Sequence, residues 1–156
     1  MRHDEAEALY RSEGAKLERA LTGSFGDPML AGDATSQAFI ELLSHRGSVE
    51  VPRAWVWKTA FAIARGISSA RSTPYGLWPP DAGVTDTPAP VDLLDALAVL
   101  SPLQRQAVVL HHYAGWPVRD VARIANSTPS AVKVHLFRGR ARLRELMHEE
   151  EVRADG

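Results

Sequence analysis

The stretch NSTPSAVKVHLFRGRARLREL, residues 126–146, combines side chains that suit contact with DNA. Val132 and Leu136 lie one helical turn apart, so we expect them to face a core. The opposite flank then presents hydroxyl, cationic and apolar side chains, namely Ser130, Lys133, Val134, Phe137, Arg138 and Arg140. Lys and Arg neutralise phosphates, Arg also donates to guanine edges, and apolar groups pack on thymine methyls. An exposed Phe between cations fits DNA binding better than it fits a helix face that is merely soluble.

A shorter helix is predicted directly before this one. Its apolar positions recur with a helical period at Val118, Val121, Ala122 and Ala125. The tight turn ANST follows, in which Thr128 suits an N-cap and Pro129 the first helical position. Two such helices form a helix-turn-helix pattern, in which the first helix braces the second and the second enters the major groove.

The residues that could support catalysis or bind a metal are not arranged to do so. His111 and His112 are adjacent, so on a helix they point about 100° apart and cannot chelate as an i, i+4 pair does. His135 is isolated, and no catalytic carboxylate pair, nucleophile elbow or phosphate-binding loop is present. The absence of Cys excludes disulfides and thiolate metal sites. We therefore expect no enzymatic activity, no metal and no cofactor.

Helical periodicity on both sides of a proline-rich segment predicts an all-α protein with two small domains. The first domain is predicted at residues 5–71 and the second, with the helix-turn-helix, at residues 92–148. Residues 72–91 contain five Pro and two Gly, which cannot sustain a helix, so we interpret them as a linker. No segment with the period of a β-strand is present.

The apolar residues of the first domain predict which helix faces are buried. In the helix that opens at Asp27-Pro28, the buried side is predicted at Phe39, Ile40, Leu42 and Leu43. In the helix that opens at Pro52, it is predicted at Trp55, Thr59, Ala62 and Ile63.

The net charge of −1 conceals an uneven distribution of charged residues. Residues 1–50 carry nine acids against five Lys and Arg, whereas residues 92–144 carry eight Lys and Arg against three acids. A basic block in a neutral chain indicates a local nucleic-acid surface. No run of about 18 apolar residues exists, so we expect no membrane span. No secretory signal is visible at the N-terminus, so a cytoplasmic location is expected.

The stretch LSPLQRQAVVLHHYAGWPVRDVARIANSTPSAVKVHLFRGRARLREL closely resembles region 4 of extracytoplasmic-function (ECF) sigma factors, the small group of the sigma-70 family. This resemblance rests on four features in order: a run of Leu, Pro, Gln and Arg before an apolar helix, a Gly, the two-helix motif and an Arg-rich end. The segment GDPMLAGDATSQAFIELLSHRG stands in the place of the family's polymerase-binding helix. PRAWVWKTAFAIARGISSAR stands in the place of its promoter-melting helix. The resemblance covers about residues 5–148.

The resemblance implies a protein that binds core RNA polymerase, directs it to promoter DNA and helps to open that DNA. Region 4 would read the −35 element, and region 2 would hold the main polymerase contact and read the −10 element. By position, the −35 contacts fall at Lys133, Val134, Phe137 and Arg138, with Arg119 on a phosphate. The polymerase contacts fall at Asp33, Ser36, Gln37 and Phe39, of which Phe39 can also act through the core.

Three departures from the family's pattern keep alternatives open. Ser36 and Gln37 replace a Gln-Glu pair, Ala62 stands where an Asn often helps to hold a flipped base, and Val134 replaces a frequent Ser. One alternative is a helix-turn-helix regulator whose first domain binds another protein. A second is a divergent sigma-like protein that does not initiate transcription alone. The sequence also leaves open whether an anti-sigma factor binds this chain.

Overall fold

The computed structural model describes residues 2–70 and 91–155, and every regular element in these two segments is helical, which confirms the all-α prediction. The α-helices are α1 (His3–Phe25), α2 (Pro28–Ser44), α3 (Pro52–Ala70), α4 (Val91–Val99), α5 (Pro102–Val108), α6 (Val118–Ile124) and α7 (Pro129–Asp155). A π-helical turn, Val109–Tyr113, continues α5. The predicted linker lies outside the described residues, apart from Val91, where α4 begins. We call α1–α3 the front helices and α4–α7 the back helices.

The helix boundaries follow from local sequence signals. Gly26 ends α1 with a left-handed φ of 74°, which a residue with a Cβ adopts only at a cost. The Asp27 carboxylate then caps α2 by accepting from two backbone N–H groups of its first turn. Ser101 caps α5 in a capping box. Thr128 Oγ1 accepts from the backbone N–H three residues on at 3.2 Å, which confirms the predicted N-cap of α7.

The front helices pack around a core in which α2 lies against α1 and α3. Phe39 and Leu42 are buried as predicted, but Ile40 is 54% exposed and Leu43 is 42% exposed, so the prediction for these two residues was wrong. The buried face of α2 begins about two and a half turns earlier than predicted and runs through Leu30, Ala31, Ala34, Thr35 and Ala38. Small Ala side chains let neighbouring helices approach along this face, which turns Ile40 and Leu43 outward.

The buried face of α3 is rotated from the predicted one. Its fully buried residues are Val56, Trp57, Ala60, Phe61 and Ala64. Trp55 and Ile63 are partly buried and pack against the core, whereas Ala62 is exposed, so the core prediction was wrong for Ala62. The cause is that α3 packs on three sides, against α1 and α2 of the front helices and against α6 of the back helices.

The back helices close around α7, which packs on both α5 and α6. Val132 is 1% exposed and Leu136 is 8% exposed, which confirms that they face the core. Gly139 lies where α7 crosses α5, and a Cβ placed on it would lie 2.9 Å from Val108 Cγ2. Only a residue without a side chain therefore permits this close approach.

One continuous cluster of buried apolar residues runs through the front and the back helices. A buried arginine, Arg105, reinforces the junction from α5. Its guanidinium donates to the backbone carbonyls of Leu97 at 2.8 Å and Leu100 at 3.0 Å, and to that of Ser24 at the end of α1 at 3.3 Å. These bonds satisfy the carbonyls that helix ends leave free and offset the cost of burying a cation.

Candidate nucleic-acid interface

The helix-turn-helix pattern predicted from the sequence is formed by α6 and α7. Asn126 turns the chain between them with a φ of 54°, a left-handed conformation that Asn tolerates better than most residues. The backbone N–H of Ser127 donates to the carbonyl of Ala122 at 2.8 Å and closes the turn. Val132 and Leu136 fix α7 against the core, so the rest of its surface is held in one orientation.

The predicted DNA-contacting residues all lie at the surface of this motif. Six of them are exposed on α7, namely Ser130, Lys133, Val134, Phe137, Arg138 and Arg140, and Arg119 is exposed in the first turn of α6. Phe137 is 71% exposed and Val134 is 44% exposed, although both are apolar. Apolar side chains can pack on the apolar parts of base edges, and the cations beside them can bind phosphates, so this exposed surface suits contact with DNA.

Phe137 and Arg138 also line a shallow groove between α7 and the start of α5. The groove has a volume of about 400 Å³ and is bounded by Val99, Gln104, Phe137, Arg138, Ala141, Arg142 and Glu145. Arg142 is held by Glu145 at 3.0 Å, an ion pair within α7. The sequence interpretation missed Val99 and Gln104, because they lie more than 30 residues from Phe137 and approach it only in the fold.

The two adjacent histidines have separate structural roles. His111 Nδ1 lies 2.8 Å from the carbonyl oxygen of Trp116, which ties the π-helical turn to the residue after Gly115. Burial, His111 and Arg140 together lower the pKa of His112. A lowered pKa keeps His112 neutral near pH 7. Among residues 2–70 and 91–155, no three His, Asp or Glu side chains are grouped to hold a metal ion.

On the front helices, the predicted polymerase contacts divide into exposed and buried residues. Asp33, Ser36 and Gln37 are exposed on α2, whereas Phe39 is only 6% exposed and packs edge-on against the Tyr10 ring, with 5.1 Å between the ring centroids. Phe39 therefore supports α2 from the core and does not offer its side chain to a partner. The exposed face of α2 instead gains Ile40, which the sequence interpretation had assigned to the core.

The tryptophan side chains of α3 are less available for stacking on a DNA base than the sequence indicated. Trp57 is fully buried, and Trp55 packs beside the His45 ring at a centroid distance of 5.3 Å. Ala62 is exposed and offers no polar group. In this arrangement neither Trp is presented as a free stacking surface for a base.

The chain is similar to one family model, to solved structures of the same fold and to a known protein sequence. A family model described as sigma-70, region 4, matches residues 91–143. The sigma factor RpoE of Bartonella quintana, solved with the anti-sigma factor NepR, is 22% identical and superposes with a TM-score of 0.69 over 94% of this chain and 98% of that one. CnrH, solved with the cytosolic domain of CnrY, is 20% identical, with a TM-score of 0.67 over 95% and 90% of the two chains.

The match places a sigma-70 region 4 on the back helices, which carry the helix-turn-helix. The RNA polymerase sigma factor CarQ of Myxococcus xanthus is 28% identical over 163 aligned positions, which span 96% of this chain and 92% of the relative. Over nearly its whole length the chain is therefore similar to an RNA polymerase sigma factor. In the described segments, no helix is both long enough and apolar enough to cross a bilayer.

Proposed function

We propose that the chain is an RNA polymerase sigma factor of the ECF type, which reads the −35 element through α7 and binds core RNA polymerase through the outer face of α2. The observation that carries the first assignment is the 71% exposure of Phe137 on a helix whose opposite side is anchored in the core. In this proposal Arg138 contacts a base, Lys133 neutralises a phosphate, and Val134 and Phe137 pack on apolar base edges. Ser130, Arg140 and Arg119 add hydrogen bonds and charge at the rim.

The outer face of α2 is the proposed contact with core RNA polymerase. Asp33 supplies the charge, Ser36 and Gln37 supply hydrogen-bonding groups, and Ile40 supplies apolar area at the centre of the face. Apolar side chains surrounded by polar ones are typical of protein interfaces, because desolvated apolar contacts give most of the affinity and the polar rim gives orientation. We also propose that the protein is cytoplasmic and has no enzymatic activity of its own.

The proposed domain organisation is the one predicted from the sequence. Residues 5–71 form a region 2-like unit, residues 92–148 form a region 4-like unit, and residues 72–91 join them. The contact between α3 and α6 and the shared core mean that a fragment of either unit would expose apolar surface. Experiments are therefore designed on the full chain.

The test begins with reconstitution. The full chain is mixed with core RNA polymerase, DNA bound by the complex is selected from a random pool, and run-off transcription is measured on the selected promoter. Specific transcripts that depend on the chain are the expected result. Polymerase binding without transcripts would favour the divergent sigma-like protein that needs help, for which the buried Trp57 and the apolar Ala62 are the structural argument.

A charge reversal on α2 separates the sigma factor from a regulator that binds only DNA. Asp33→Arg changes an exposed residue, so we expect unchanged thermal unfolding and weaker binding to core polymerase in a pull-down. Glu50→Arg is the control, because Glu50 is an exposed acid outside α2. Equal polymerase binding by the parent and folded Asp33→Arg would contradict the assignment of this face.

A protein antagonist is a further part of the proposal. The two similar structures described above were each solved with a bound protein, one of them an anti-sigma factor. We propose that a partner of this kind binds the present chain as well. Affinity purification of the tagged chain in competition with added core polymerase tests it, and displacement of the partner by polymerase is the expected result.

A further inference from the structure

The π-helical turn after α5 presents polar side chains beside the DNA-reading face of α7. The chain is fully buried at Leu110 and then emerges, so that His111 is half-buried and His112 and Tyr113 are exposed. We call these last three residues the turn patch. Single π-helical turns within helices occur frequently at functional sites, which makes this patch a candidate for a second contact with a ligand.

The backbone under the turn patch is held by contacts on its buried side. The N–H of Ala114 donates to the carbonyl of Val109 at 3.0 Å, and His111 Nδ1 lies 2.8 Å from the carbonyl oxygen of Trp116. The His112 ring meets the His111 ring edge to face, with 4.9 Å between the centroids. The His112 side chain is therefore presented to solvent from a fixed backbone.

The turn patch continues a row of cations along one flank of α7. Lys133 and Arg140 are seven residues apart, or about two helical turns, so their exposed side chains lie one above the other. Arg140 is close enough to His112 for its charge to act on the imidazole. The row from Lys133 through Arg140 to His112 therefore follows the edge of the face that carries Phe137.

The surroundings of His112 favour its neutral form in the free chain. Partial burial comes first, followed by the charges of His111 on the same turn and Arg140 on α7, and all three lower the pKa of His112. The helices that pack on this turn are α1, α5 and α6, and their described residues supply no acid that acts on His112. An anion bound between Arg140 and His112 would have the opposite effect, because a nearby negative charge favours the protonated imidazole.

We propose that the turn patch is a second DNA contact, in which His112 binds a backbone phosphate at the edge of the −35 element. This inference rests on the proposed function, since α7 must lie in the groove for a phosphate to reach the turn. His112 takes one proton from solvent when the phosphate binds, so binding should tighten as the pH falls. Phosphates occur in every sequence, so this contact adds affinity for all duplexes alike.

The pH dependence of DNA binding by the full chain is the first test. Affinity for the selected −35 duplex is measured by fluorescence anisotropy at about pH 6 and about pH 8. His112→Gln stays neutral at both values, and we expect the parent to gain about fivefold more affinity than this variant on acidification. His3→Gln is the matched control, because His3 is an exposed histidine of the front helices, and it should behave like the parent.

The salt dependence of binding identifies the ligand of His112 as a phosphate. Each phosphate that a protein neutralises on B-form DNA contributes about 0.9 to the slope of log affinity against log salt. The parent slope should steepen by about this amount between pH 8 and pH 6, on selected and random duplexes, whereas that of His112→Gln should not. His112→Lys is charged at both values, so it should show the steeper slope already at about pH 8.

Circular dichroism checks that each variant is folded, which we expect because His112 is exposed. Equal pH dependence and equal salt slopes for the parent and folded His112→Gln would overturn the second contact. If Arg138→Ala still relaxes base preference in that experiment, the proposed function stands and only this inference fails. A parent chain that binds neither duplex at either pH would overturn both.

Discussion

The outer faces of α2 and α7 both expose apolar side chains, but the neighbouring residues differ. On α7, Val134 and Phe137 lie between Lys133 and Arg138. On α2, Ile40 lies among uncharged polar residues, and Lys and Arg are absent from this helix. The cations of α7 indicate which side of that helix faces solvent. In α2 both sides carry apolar residues, so packing against neighbouring helices decides which side is buried.

The number of charged side chains on a helix decides whether its buried face can be predicted from sequence. Charged side chains are rarely fully buried without a partner, so a helix with several of them has few permitted orientations in a core. A helix with only Asp33 and Glu41 as charged residues has more permitted orientations. Its neighbours then decide which apolar residues are buried.

The largest effects are expected from burying a carboxylate in either helix. Val132→Asp on α7 and Leu42→Asp on α2 each replace a side chain that is at most 1% exposed. We expect each to lower the free energy of unfolding by about 3–5 kcal/mol, because the new charge has no partner. Thermal and urea unfolding followed by circular dichroism measure the change.

The matched controls place the same charge two residues away on each helix. Val134→Asp and Ile40→Asp change exposed positions, and we expect a loss of about 0.5 kcal/mol or less. If Ile40→Asp destabilises the fold as much as Leu42→Asp does, the outward orientation of Ile40 is wrong and the contrast between α2 and α7 disappears.

The contacts proposed for α7 are tested by truncating its cations. Arg138→Ala should cost about 1–3 kcal/mol of binding to the selected −35 duplex and relax the preference at one base pair. Lys133→Ala should instead weaken selected and random duplexes alike and lower the salt slope by about one unit. Fluorescence anisotropy across a salt series measures both effects.

The control for this pair is Arg142→Ala, because Arg142 lies on the same helix and is held by Glu145. We expect a smaller loss for it than for Arg138→Ala. Folded Arg138→Ala and Lys133→Ala variants that bind both duplexes like the parent would show that α7 does not read DNA.

Glycines in the same two helices should respond to alanine in opposite directions. Gly139→Ala brings a Cβ to 2.9 Å from the buried Val108 side chain, and we expect a net loss of about 1–2 kcal/mol from overpacking. Gly32→Ala on α2 meets nothing within 4 Å and should gain about 0.5–1 kcal/mol from helix propensity. Urea unfolding compares them, and a stabilising Gly139→Ala would contradict the close crossing of α5 and α7.

The smallest effect concerns His112 beside α7. Its pKa in the folded state is lowered below the usual value of 6.5 by burial and by the nearby His111 and Arg140. As the pH falls through about 6.5, the unfolded chain binds a proton that the folded chain resists, so stability should decrease. His112→Gln should show a shallower decrease between pH 7 and pH 5 in thermal unfolding, and identical pH profiles would contradict this prediction.

The helical class, most helix boundaries and the orientation of α7 can be predicted from the amino-acid sequence. The N-caps are Asp27, Ser101 and Thr128. They can be predicted from the local sequence because an N-cap bonds only to the next few backbone groups. The DNA-contacting candidates of α7 were also identified from spacing alone. These features depend on residues within about one or two turns of each other, where periodicity carries the information.

The tertiary structure decided the features that depend on distant partners. Trp57 is buried rather than Trp55 because Trp116, which lies beyond the predicted linker, covers it. The Arg105 guanidinium is buried because carbonyls of α1 and α4 converge on it, and Gly139 is required by a side chain of α5. No local sequence pattern encodes these contacts. Most of them join segments that are about 30 to 80 residues apart. The others are bonds to backbone carbonyls at helix ends, which every residue type supplies.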